Sequence, residues 1–206
     1  FSMDFLNDYI QENISNHLTK YTAPSKYLVE HRDKDYDYFY STQDIIASNF
    51  HDYESENVTI TGNGAMEALH YSLDSILLNF DCQTGFRPAI LTHTPSYKFF
   101  LDIVSSKGIE IVSLHSEPEE GHYPLELLES RMEQLYKQYL FPIAILEISP
   151  HNPYGITRSK ERTIEIARIA QEFSERNQQL NFPRIRIIDD LVYDRHECDP
   201  ADRTEH

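Results

Sequence analysis

Basic residues are scarce in this chain. Only 18 of its 206 residues are Lys or Arg, against 34 Asp or Glu, a formal charge of −16. A field of that sign repels nucleic-acid backbones and anionic bilayers, so neither is an expected partner; the acid excess needs no more than a solubility role. Cysteine is scarcer still. Cys82 and Cys198 lie far apart and form no CxxC pair, so a reducing compartment, the cytoplasm by default, is expected and a structural zinc is not. No run of about 18 apolar residues is present, as a membrane-spanning helix would need. The N-terminus lacks a basic-then-apolar leader, and Met3 reads as the natural start. The 10 histidines show no metal-ligand spacing; His196-Glu-Cys198 is the nearest cluster, on a polar stretch. No Gly-x-Ser-x-Gly and no Ser/His/Asp arrangement is visible, which removes the commonest hydrolase chemistry.

What is present has a regular rhythm. Asp4–Leu18 carries Phe5, Tyr9, Ile10, Ile14 and Leu18 near one face of an expected helix. Tyr21–Tyr53 is rich in Tyr, Asp and Lys; it reads as an extended or short-helical arm whose compact apolar pattern is Ile45-Ile46-Ala47 with Phe50. From residue 57 onward, strands are expected at Val58–Thr61, Pro88–Thr92, Ile109–Leu114, Pro142–Ile148 and Arg184–Asp189. Helices are expected from Gly64 to about Phe80 and over Ser96–Lys107, Pro124–Tyr139 and Ser159–Arg176. Pro124 suits a first helical turn and Ser159 an N-cap, with Leu125, Leu128, Met132, Leu135 and Tyr139 facing inward. The strand runs are apolar throughout rather than alternating. That predicts an α/β fold in three layers, a mainly parallel sheet flanked by helices. The expected division is an N-terminal helix and arm over 1–56 and a larger domain over 57–206, with a polar loop from residue 194 to its end.

Chemistry-bearing residues fall where strands end, and ligands of such sheets bind outside the strands' carboxyl ends. Gly62-Asn-Gly64 uses two of only 6 glycines to turn into a helix. Unpaired N–H groups at such a start attract a phosphate; an ordinary strand-to-helix turn is the alternative. The segment reads G-x-G-x-x-E, not the dinucleotide G-x-G-x-x-G. Tyr97, after Thr94-Pro-Ser, can lie flat on a planar ligand or serve as a half-buried core residue. Pro150-His-Asn-Pro-Tyr-Gly155 must form a defined turn, with Pro153 a candidate cis residue, and can hold the Asn152 amide in place. Asp190 and Tyr193 leave one strand end together, with Asp189 a competitor for the role of Asp190. A carboxylate favours a protonated pyridine nitrogen. An amide and a phenol suit a phenolic oxygen. Pyridoxal phosphate has both groups.

The ordered set Gly-Asn-Gly-Ala-Met-Glu-Ala-Leu, Pro-Ser-Tyr, Asn-Pro-Tyr-Gly and Asp-Leu-Val-Tyr resembles fold-type I pyridoxal-phosphate enzymes. The nearest group is the class I/II aminotransferases, which include aspartate and histidinol-phosphate aminotransferases. The resemblance covers residues 57 to about 194, part of that family's large domain. It implies pyridoxal 5′-phosphate as cofactor, with its phosphate on the amides of Gly64, Ala65 and Met66 and its ring under Tyr97. Asn152 and Tyr193 would bond the phenolic oxygen and Asp190 the ring nitrogen. It also implies amino-group transfer between an amino acid and a 2-oxo acid, and a homodimer, for which Tyr36–Tyr53 is the candidate segment reaching the partner.

Three departures stand out. Leu191 replaces the family's glutamate, and Tyr154 its threonine. None of Lys20, Lys26, Lys34, Lys98, Lys107, Lys137 and Lys160 matches the Schiff-base lysine, so no catalytic residue is assigned. The expectation is therefore a chain truncated on its C-terminal side, since a sheet ending at Tyr193 would leave strand edges unpaired. A catalytically inactive binding or assembly protein on this fold, and a lyase or decarboxylase, are the alternatives.

Overall fold

The computed structural model describes residues 42–47, 53–80, 85–115, 121–177 and 182–193, which fall into two compact units, Phe1–Ile60 and Thr61–His206. The expected helix over Asp4–Leu18, most of the Tyr-rich arm, and the tail with His196-Glu-Cys198 lie outside the described residues. In the first unit, α1 (Thr42–Ala47) is joined to a 3-10 turn (Ser55–Asn57) region by Gln43 Nε2, which donates to the Val58 carbonyl at 2.7 Å. The expected strand at Val58–Thr61 does not form. Val58 has extended dihedrals, but among the described residues no strand runs alongside, and β-branched residues alone do not make a ladder.

The second unit alternates strand and helix. Its elements are α2 (Gly64–Leu78), β1 (Arg87–Thr94), α3 (Lys98–Ser106), β2 (Glu110–His115), α4 (Leu125–Lys137), β3 (Leu140–Ile148), α5 (Lys160–Arg176) and β4 (Arg186–Asp190). The strands lie in the order β2-β1-β3-β4, every pairing parallel, with Leu91 opposite both Val112 and Ile145, and Ile145 opposite Ile187. All nine residues of β3 are buried. Neighbouring strand residues point to opposite faces, so helices must cover both faces of the sheet, as the unbroken apolar run Ile143–Leu146 predicts.

The helices follow from their caps and stripes. Ser159 Oγ accepts from Arg162 N at 3.2 Å and opens α5. In α4, Leu128, Met132 and Leu135 are buried at i, i+4 and i+7. Pro124 stands just before that helix, and Tyr139 does not face inward as expected. It is 67% exposed with φ 56, because it makes the tight turn into β3, where its carbonyl accepts from Arg87 N at 2.9 Å. Phe141, fully buried in the core, stacks at 4.1 Å on the partly buried Phe182. Each fully buried side chain of this size contributes roughly 1.5–3 kcal/mol. Because all the strands run the same way, β1, β3 and β4 deliver their following loops to one edge.

Candidate active site at the strand exits

The loop after β3 is closed by its own backbone. His151 N donates to the Ile156 carbonyl at 2.9 Å and Gly155 N to the His151 carbonyl at 2.6 Å. Asn152–Pro153 is cis, as is Ser149–Pro150, and Gly155 takes φ 69. At this exit Asn152 Nδ2 donates to the Tyr193 hydroxyl oxygen at 3.4 Å, linking residues that are 41 apart in sequence. Asp190 belongs to the same corner: it sits opposite Ile148 in the ladder, and its carbonyl accepts from Ser149 N at 3.1 Å. Its carboxylate accepts from Val192 N at 3.2 Å. Burial holds the Asp190 carboxyl above its usual range; the Val192 N–H opposes this and neighbouring Asp189 adds to it. Such a carboxylate gains most from a cation placed beside it.

Tyr97 leaves β1, the strand paired with β3, and forms the N-terminal boundary of α3. Its ring is 37% exposed and lies 5.2 Å from Phe100 and 5.4 Å from Phe99, in edge-on and tilted arrangements. Among the described residues, no hydrogen bond or ring contact ties it to Asn152, Asp190 or Tyr193, so it shares the edge without joining their bonded corner. Gly64, Ala65 and Met66 open α2, which packs against α3 and β4. Gly64 has φ 69, and a Cβ there would meet nothing within 4 Å, so backbone conformation rather than crowding selects glycine. Thr61 Oγ1 donates to the Gly64 carbonyl at 3.0 Å, and Glu67 Oε2 accepts from Asn63 N at 2.9 Å. That N–H holds the Glu67 carboxyl below its usual range. The first-turn amides after it have no acceptor within the helix.

A layer of buried polar residues, unforeseen from the sequence, lies just behind this corner. Glu147 of β3 faces Asp189 of β4 in register, and Arg158 joins them. Its Nη1 is 3.3 Å from Glu147 Oε2 and its Nη2 pairs with Asp189 Oδ2. The same arginine donates from Nε to Thr163 Oγ1 at 2.8 Å, and from its backbone N to Ser149 Oγ at 3.1 Å. Tyr123, 1% exposed, donates its hydroxyl to Glu147 Oε1 at 2.6 Å, and the Arg162 guanidinium lies 4.8 Å over the Tyr123 ring. Burial pushes the Glu147 carboxyl up against the pull of Arg158, and the Tyr123 phenol well up. Asp189 is thus committed to Arg158, which separates its role from that of Asp190.

Beside this layer His93 and His151 stack at 3.9 Å between ring centroids, with Tyr154 5.4 Å from His151. Burial takes His93 down to about 3, with repulsion from His151 second, and takes His151 down to about 4, with repulsion from His122 second. One signal for the layer was visible: Glu147 interrupts the apolar run of β3. Nothing local pointed to its partners. Among the described residues, no group of three or more His, Cys, Asp or Glu is placed to hold a metal ion, and no helix is long and apolar enough to cross a membrane.

The fold is similar to that of aspartate aminotransferase from Rhizobium meliloti, at 18% identity and a TM-score of 0.66, covering 96% of this chain and 42% of that one. It is also similar to N-succinyldiaminopimelate aminotransferase from Mycobacterium tuberculosis (22% identity, TM-score 0.53, covering 74% and 35%). A PLP-dependent aminotransferase from Streptococcus suis 89-1591 resembles it at 20% identity and TM-score 0.52, covering 74% and 39%. The chain thus spans less than half the length of these structures. Among curated proteins no sequence matches it. Residues 10–174 match the family model for aminotransferase class I and II, and the chain belongs to that family.

Proposed function

We propose that this chain is the cofactor-binding part of a pyridoxal-phosphate-dependent aminotransferase that moves an amino group between an amino acid and a 2-oxo acid. The observation that carries the reading is the corner formed by Asn152, Tyr193 and Asp190. An amide and a phenol stand within 3.4 Å of each other, beside a half-buried carboxylate with no ion-pair partner among the described residues. That donor set fits pyridoxal phosphate. Asn152 and Tyr193 would hold its phenolic oxygen, and Asp190 its ring nitrogen.

When bound, the cofactor supplies an aldehyde for amines and a ring that withdraws electrons. The chain's own residues do the rest. Asp190 keeps the proton on the ring nitrogen, because desolvation makes its carboxylate favour a cationic neighbour. Asn152 and Tyr193 fix the ring's orientation. Tyr97 would cover a ring face and exclude water there, and the amides of Gly64, Ala65 and Met66 would hold the phosphate with help from the helix dipole. We assign the lysine that binds the aldehyde to a segment outside these 206 residues, and the active form to a cytoplasmic homodimer.

Spectrophotometric titration of the complete protein with pyridoxal phosphate tests the reading. The wild-type protein is expected to bind, and Asp190→Asn to bind about ten-fold or more weakly, since it trades a charge-assisted contact for a neutral one. A wild-type protein that leaves the cofactor's absorption unchanged and does not retain it in equilibrium dialysis would refute the proposal. Cofactor retention with no amino transfer from any amino acid would leave a binding protein on the same fold.

A further inference from the structure

Two adjacent carboxylates, Asp189 and Asp190, end β4, and the fold treats them differently. Asp189 is paired with Arg158, whose side chain is only 3% exposed, while among the described residues the Asp190 carboxylate accepts only from the Val192 N–H. Among the described residues, Arg158 also ties together the β3 and β4 ends that carry the corner. Its guanidinium reaches Glu147 on β3, Asp189 on β4 and Thr163 in the first turn of α5, while its backbone N donates to Ser149 Oγ at the start of the Asn152 loop. Asn152 hangs from the loop that begins at Ser149, and Tyr193 from the end of β4. The 3.4 Å contact between them therefore depends on how β3 and β4 are held together at their last residues.

We propose that Arg158 is the positioning residue of the cofactor corner. By clamping Glu147 and Asp189 it fixes the two strand exits against each other and neutralises one of the two terminal carboxylates, leaving Asp190 as the single free anion for the ring nitrogen. The inference rests on the cofactor reading above. It assigns Arg158 no contact with cofactor or substrate. The planar fork matters because it reaches two carboxylates from one position, which a lysine ammonium does not. Tyr123 completes the clamp by satisfying the other oxygen of Glu147.

The test compares pyridoxal-phosphate binding and thermal unfolding in the complete protein. A purely structural role would weaken binding only in step with stability, so the key variant is the neutral triple substitution Glu147→Gln, Arg158→Met, Asp189→Asn. It removes all three charges together, and replacing a whole buried ion cluster leaves stability near its starting value, whereas Arg158→Met alone strands two carboxylates. The triple variant is expected to melt near wild type, yet bind the cofactor about ten-fold or more weakly, the scale seen when residues that orient a ligating group are lost. Arg158→Lys, which keeps the charge and loses the fork, is expected to fold and to bind more weakly than wild type. Wild-type affinity in either the triple or the lysine variant overturns the inference while the cofactor reading stands. Absence of binding by the wild-type protein overturns both.

Discussion

Acid should weaken this domain through two particular histidines. His93 and His151 are 2% and 3% exposed, stacked on each other, with their folded values taken to about 3 and about 4. An unfolded histidine titrates near 6.5. Both folded values are depressed, so the stability these groups contribute is present above about pH 6.5 and is lost as pH falls toward the folded values. Near pH 5 the unfolded chain carries two imidazolium protons that the folded chain refuses, and unfolding takes up about two protons. Between pH 7 and pH 5 each site removes roughly 2 kcal/mol, roughly 4 kcal/mol together, a large part of the 5–15 kcal/mol typical of a domain. Glu147 and Asp190, whose carboxyls are raised, work in the opposite sense, and His122, also depressed by burial, adds to the loss. The comparison is therefore made against a double variant, His93→Phe with His151→Phe, which keeps two stacked rings and loses both titrating sites. Urea unfolding at pH 7 and pH 5 measures it. The wild-type protein should lose roughly 4 kcal/mol more than the double variant over that interval. Equal losses in the two proteins would show that these imidazoles do not resist protonation in the fold.

Gly121 takes φ 68, and a Cβ there would lie 1.7 Å from Ile156 Cδ1, in the segment that closes the Asn152 loop. Gly121→Ala should therefore cost about 2–4 kcal/mol by combining left-handed strain with overpacking, measured by urea unfolding. Tyr123→Phe keeps the ring under Arg162 and removes the 2.6 Å bond to Glu147. A hydrogen bond to a buried charge is worth about 1.5–3 kcal/mol, so the melting temperature should fall by several degrees; an unchanged value would mean that Glu147 has another partner.

Some of this molecule is legible residue by residue. The apolar run Leu140–Leu146 of β3 has to be a strand buried on both faces, and the burial of those positions follows from that. Ser159 before an amphipathic stretch marks the start of α5, where its hydroxyl caps Arg162 N. Local sequence is weaker where the outcome depends on a neighbour. Val58–Thr61 has strand-forming residues and, among the described residues, no strand beside it, and Tyr139 has the right spacing for a core residue but takes the turn that ends α4.

The candidate site divides the same way. Chain order alone determines that Tyr97, Asn152, Asp190 and Tyr193 stand at or after strands that end at one edge of a parallel sheet, because parallel strands bring successive exits together. Which of two adjacent aspartates remains available was settled only in three dimensions. The β3–β4 register sets Asp189 opposite Glu147, and a loop folds Arg158 back between them. The β1–β3 pairing likewise stacks His93 on a histidine 58 positions later in the chain. Charge pairing and desolvation act through space, so a sequence lists the groups, and the packed register decides which of them meet.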